Sequence, residues 1–229
     1  MDKSDLQELL ATLYLRLNGY FTSGFIAHAP DGNLTEIDIL AVRFPYNSER
    51  EREVEPSPWL QIPRDRTDVL ICEVKGQEEH LRFNSALRNN LESIRKVVRW
   101  IGLFSDQEVE QVAQRFQDIV ATQEVQRPEH FRSIDFEEKK ITVRSILFAP
   151  DRGAPSHNQP RFIPGDEMLG FIWSCLCPDH ERPLCDVRYD FGLWGGYKEV
   201  VAYFKGRKVN GEAQGTMQDI YNRFDVNDP

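Results

Sequence analysis

Two short runs of apolar, largely β-branched residues carry charges where a buried strand should have none, and they limit the fold more than any other feature of the chain. The first is Glu36-Ile37-Asp38-Ile39-Leu40-Ala41-Val42; the second is Asp68-Val69-Leu70-Ile71-Cys72-Glu73-Val74-Lys75. Both read as β-strands by composition. Residues i and i+2 of a strand share a face. Glu36 and Asp38 are therefore expected on one side of the first run, with Ile37, Ile39 and Ala41 on the other. Glu73 and Lys75 share a face of the second run, opposite Cys72 and Val74. A charge on a core strand costs several kcal/mol unless it is paired or bound to a metal.

If the two strands are neighbours, Asp38 and Glu73 can converge on one hard divalent cation through oxygen ligands, and Mg²⁺ suits such a site. Lys75 then stands beside the ion, placed to hold a water and to offset charge on a phosphoryl group. The order Glu36-Ile37-Asp38, then Ile71-Cys72-Glu73-Val74-Lys75, resembles the PD-(D/E)XK nuclease superfamily. It is most similar to the Holliday-junction-resolvase-like and methyl-directed restriction branches, where a Gly-Tyr or Gly-Phe pair precedes the motif; here the pair is Gly19-Tyr20. The resemblance covers about residues 1–150.

That resemblance implies an α/β fold with a restriction-endonuclease-like αβββαβ core, a mixed central sheet flanked by helices, elaborated by C-terminal helices. It implies metal ligation by Asp38, Glu73 and the Val74 carbonyl, with Mg²⁺ as the ion and Mn²⁺ as a substitute. Lys75 would orient and activate the attacking water, and Glu36 would serve a second ion or an outer-shell water. The implied activity is hydrolysis of phosphodiester bonds in nucleic acid, with DNA expected, and pairing of chains into homodimers is common in such families. A second reading comes from another class: a nuclease-fold subunit that binds nucleic acid or protein in a larger assembly without cutting.

The chain of 229 residues is expected to form one domain, with a core over 1–150, an inserted loop over 45–67 and an extension over 151–229 packed on the core. No apolar run approaches the ~20 residues that span a bilayer. The start, Met1-Asp2-Lys3-Ser4-Asp5, lacks the basic and apolar regions of a signal peptide, so a cytoplasmic location is expected. The net charge of −9 argues against a nucleic-acid partner. Its distribution is uneven, however: between Arg82 and Trp100 five positive residues stand against the single acid Glu92.

Leu6, Leu9, Leu10, Leu13 and Leu17 predict a helix over 4–18 capped by Ser4 and ended at Gly19. A hairpin follows, with strands over 20–28 and 34–44 about a turn at 29–33. The 45–67 insertion is either a solvated loop or a substrate flap carrying Trp59, Arg64 and Arg66. Leu87, Leu91, Ile94, Val98 and Ile101 predict one helix over 84–101. Its Arg88, Arg95 and Arg99 are phosphate contacts or a solvated basic face. Further on, the pattern predicts a helix over 105–122, strands over 140–149 and 184–191, and helices over 165–176 and 194–205, then a short apolar segment from Met217 to Phe224. Cys175, Cys177, His180 and Cys185 could present four zinc ligands, but they lack paired C-x₂-C knuckles and Cys175 continues an apolar helix, so zinc is not expected.

Overall fold

The structure, a computed structural model, describes residues 1–28, 34–47, 54–76, 80–121, 131–156, 161–179 and 194–226; of 27, 28 and 34–36 it describes the backbone alone. The chain opens with helix α1 (Lys3–Leu17). It then runs through β1 (Phe21–His28), β2 (Leu34–Arg43) and β3 (Thr67–Val74). Three helices follow, α2 (Ser85–Asn89), α3 (Leu91–Ile101) and α4 (Val109–Ala121), then β4 (Arg132–Phe136), β5 (Ile141–Ala149) and the short β6 (Ile163–Pro164). Helices α5 (Gly165–Leu176), α6 (Lys198–Val209) and α7 (Met217–Arg223) close it.

The strands form one mixed, open, six-stranded sheet in the order β1-β2-β3-β5-β4, with β6 alongside β5. Pairing is antiparallel for β1–β2, β2–β3 and β4–β5 and parallel for β3–β5. A parallel pair needs a long crossover, and α2 to α4 lie on it. Both central strands are buried almost throughout, as their Val/Ile/Leu-rich runs require when helices cover both faces. On one face Leu70, Cys72, Ile146 and Phe148 pack with α1, α5, α6 and α7. On the other Val69, Ile71, Val143 and Leu147 pack with α2, α3 and α4.

Several elements differ from the expected pattern. Helix α1 is capped by Asp2 rather than Ser4: Asp2 Oδ1 accepts the Asp5 amide at 2.8 Å and Asp5 answers in a reciprocal box. Its burial extends beyond the leucine stripe to Gln7, Tyr14 and Leu15, because the sheet and the C-terminal helices enclose it. The single helix expected over 84–101 is two, since Asn90 adopts an extended conformation and its side chain caps α3 by accepting from the Glu92 and Ser93 amides. The helix expected from 105 begins at Val109, after a turn in which Glu108 accepts from the Ser105 amide and hydroxyl. The helix expected over 194–205 is a 3-10 turn, Gly195–Tyr197, and then α6. The strand expected over 184–191 falls outside the described residues.

The insertion is not a free flap where it is described. Leu60 is fully buried, and Trp59 lies under the Arg161 guanidinium at 5.2 Å. Arg66 is bound to Glu137 at 2.9 Å and Asp135 at 3.2 Å. Residues 48–53 lie outside the description.

Candidate metal and phosphodiester site

Strands β2 and β3 pair until Ile39 meets Cys72, and the site lies where that ladder ends. The next residue of β2, Asp38, turns its carboxylate onto β3: Oδ2 accepts the Val74 amide at 2.7 Å. A side chain thus replaces the backbone acceptor at the point where the strands part. On β1 the register jumps from Ser23 opposite Leu40 to Phe25 opposite Ile37, which places one extra residue on β2 around Asp38 and Ile39. Such a bulge bends a strand and re-aims a side chain. It also breaks the simple alternation expected of this strand. Ile39 and Ala41 pack with the α1 face, whereas Ile37 joins Leu40 on the α2–α4 face.

Glu73 and Lys75 keep the alternation and share a face. Their side chains meet, with Lys75 Nζ 2.6 Å from Glu73 Oε1, and both are nearly buried. The Asn84 amide, at the start of α2, donates to both Glu73 oxygens at 3.1 and 2.9 Å. Asn84 also caps α2 by accepting the Leu87 amide at 2.9 Å. The helix start is therefore fixed against the carboxylate. The Lys75 amide donates to the Phe148 carbonyl at 2.8 Å, which holds the residue to β5 just past the end of β3.

Burial raises the Glu73 pKa, and the neighbouring Asp38 charge adds to the rise; the Lys75 ammonium and the Asn84 amide act against it without reversing it. Two carboxyl groups thus stand near a single ammonium, and burial disfavours the charged form of Glu73. Oxygen donors in a carboxylate-rich, cation-deficient setting suit Mg²⁺ or Mn²⁺. Among the described residues no group of three or more His, Cys, Asp or Glu side chains converges. Glu36 stands in β2 with its backbone opposite Ile26, and its side chain falls outside the description.

The arginines proposed for phosphate are differently placed. Arg95 is committed to Glu110, at 2.7 Å through both Nε and Nη2, and to Glu92 at 3.0 Å. Arg88 donates to the Phe83 carbonyl at 2.7 Å. Arg99 is the loosest, half exposed, with its nearest carboxylate oxygens at 3.9 and 4.0 Å. Of the cysteine set, Cys175 is partly buried, Cys177 is buried with its thiol 3.5 Å from the Phe204 carbonyl oxygen, and His180 and Cys185 lie outside the description.

A second charged cluster escaped the sequence reading. Asp68, at the opposite end of β3 from Glu73, is fully buried and receives Arg144 Nε at 2.9 Å, Arg144 Nη2 and the Tyr20 hydroxyl at 2.5 Å. Arg144 also donates to the Leu60 carbonyl. The available signal was a lone acid before Val69-Leu70-Ile71 and a lone arginine within Ile141-Thr142-Val143-Arg144-Ser145-Ile146. A cleft of about 360 Å³ adjoins this cluster, lined by Arg66, Asp135, Glu137 and Arg144 among others. Its acids and bases are already paired with one another or with Asp68.

The class that these features define is an α/β protein with a mixed, open sheet flanked by helices and a carboxylate pair at the fork of two strands. Comparison with family models, with curated proteins and with solved structures finds no match to this chain.

Proposed function

We propose that this chain is a Mg²⁺-dependent nuclease of the PD-(D/E)XK type that hydrolyses phosphodiester bonds, with DNA as the expected substrate. The observation that carries the reading is that the Asp38 carboxylate accepts the Val74 amide at 2.7 Å while Lys75 Nζ lies 2.6 Å from Glu73 Oε1, at the same end of β3. The order α1, β1, β2, β3, α2 to α4, then β4 and β5, is compatible with a restriction-endonuclease-like core in which β4 is an addition.

Asp38, Glu73 and the Val74 carbonyl would hold the ion. Once bound, the metal supplies a water of lowered pKa and neutralises charge on the phosphoryl group. The protein's part is positioning. The Val74 amide fixes the Asp38 carboxylate and the Asn84 amide fixes that of Glu73. Lys75 donates to the attacking water and to a phosphoryl oxygen as charge builds there, in a setting dry enough for one ammonium to count.

A second reading, a binding subunit that does not cut, draws on the net charge of −9 and on the finding that, among the described residues, no three His, Cys, Asp or Glu side chains form a group that could hold a metal ion. Labelled single-stranded, duplex and branched DNA and RNA, incubated with Mg²⁺, Mn²⁺ or chelator, separate the two. Metal-dependent cleavage that disappears in a folded Lys75→Ala variant is expected. Binding without cleavage by the wild-type chain would establish the second reading instead.

A further inference from the structure

We infer that Phe25 and Trp100 form a stacking platform for the bases of a single-stranded nucleic acid, beside the Asp38–Glu73 pair. The inference names a substrate class for the site proposed above and rests on that reading for its catalytic meaning, though not for its binding test.

Trp100 lies in the last turn of α3 with 53% of its surface exposed, and its ring stands 5.2 Å from that of Phe25, tilted by 50°. Phe25 faces Ile37 across the β1–β2 ladder, one residue before Asp38. With adjacent strands about 4.7–4.9 Å apart, the platform begins one strand away from Asp38 and two from Glu73. β1 is the edge of the sheet, and its Ser23 and Gly24 are exposed beside the platform. A Cβ on Gly24 would be in ordinary contact with the Asp38 carbonyl oxygen at 3.6 Å, which places this bare edge directly against the bulge that aims Asp38.

The charge beside the platform has the required sign. Lys96 is one turn before Trp100 on the same side of α3. Arg99 adjoins it, half exposed and only distantly paired. An aromatic surface flanked by cations at a half-open edge is how single strands are held without base reading, each stacked base contributing about 1–3 kcal/mol. A duplex keeps its bases stacked on one another and offers Trp100 no face.

The test is fluorescence anisotropy of labelled oligo(dT), oligo(rU) and a duplex of equal length, in chelator so that no cleavage occurs. The wild type should bind single strands more tightly than duplex. Trp100→Ala should weaken single-strand binding by roughly 5- to 150-fold, while Trp100→Phe, which keeps a stacking face, should retain most of it. Circular dichroism of both variants controls for folding. Equal single-strand affinity for Trp100→Ala and wild type, a preference for duplex, or no binding by the wild type would each overturn the inference. The two arms oligo(dT) and oligo(rU) tell DNA from RNA. Trp100-dependent binding with no metal-dependent cleavage leaves the platform standing and removes the nuclease reading; cleavage with Trp100-independent binding does the reverse.

Discussion

Removing the charge of Asp68 should destabilise the fold strongly. Asp68 is fully buried and Arg144 is 5% exposed, and the guanidinium is held by the Asp68 carboxylate, the Tyr20 hydroxyl and the Leu60 carbonyl. Asp68→Asn strands a cation in a nearly dry interior. Breaking a buried pair from one side costs about 3–5 kcal/mol. For a chain of this size about 2–4 °C of Tm is lost per kcal/mol, so the melting temperature should fall by roughly 6–20 °C. Arg144→Met strands the opposite charge and should cost a similar amount. The double variant Asp68→Leu, Arg144→Met leaves neither charge and should recover much of the loss, since well-packed apolar replacements of buried pairs are often neutral. Tyr20→Phe removes one hydrogen bond to a charged group and should cost about 1.5–3 kcal/mol. Calorimetric melts of these variants, of Asp68→Leu alone and of wild type, at low and high salt, complete the cycle. A pair this deep is poorly screened, so the coupling should persist in salt. Single variants that melt with the wild type, or single losses that simply add in the double variant, would refute the reasoning.

Three further outcomes follow from local geometry. A Cβ at Gly165 would overlap the Pro150 carbonyl and lie 2.7 Å from Met217 Cγ, so Gly165→Ala should lower stability by at least about 1–3 kcal/mol in urea unfolding. Asn84→Ala removes the cap of α2 and should cost about 0.5–2 kcal/mol; because the same helix start holds Glu73, metal-dependent cleavage should fall with it in initial-rate assays. Hydrogen bonds from the Ser105 hydroxyl and amide, aided by Lys139, lower the Glu108 pKa to about 2 from its ordinary 4.5. The ionised form is the one the fold favours, so this contribution to stability is present above pH 4.5 and lost as pH falls towards about 2. An NMR titration of Glu108 should show the low midpoint, and Ser105→Ala should return it towards 4.5.

The sheet's central strands were legible because parallel, doubly covered strands must be apolar throughout, and 68–75 and 141–149 are so but for a few charges. The Asp38, Glu73 and Lys75 positions were legible for the same reason: charge stands out against such a background. The bulge at Asp38 was not, because register is a property of two strands and the displaced residue shows only when β1 is laid beside β2. Strand β4 escaped notice as five residues after a polar stretch, and β6 as two. The break at Asn90 was hidden by an unbroken apolar stripe, since Leu87 and Ile94 stay in register across it. Gln7 and Tyr14 are buried with hydrogen bonds to Tyr221 and Glu167, on helices more than a hundred residues further on, a contact no local pattern contains.

Mn²⁺ binding, followed by electron paramagnetic resonance as free ion is titrated with protein, tests the central claim most directly. The wild-type chain should take up Mn²⁺ at a site in competition with Mg²⁺, and both Asp38→Asn and Glu73→Gln, folded by circular dichroism, should lose it. Lys75→Ala should still bind the ion. A wild-type chain that leaves Mn²⁺ free, or binding that survives both carboxylate variants, would contradict the assignment of Asp38 and Glu73 as the metal's ligands.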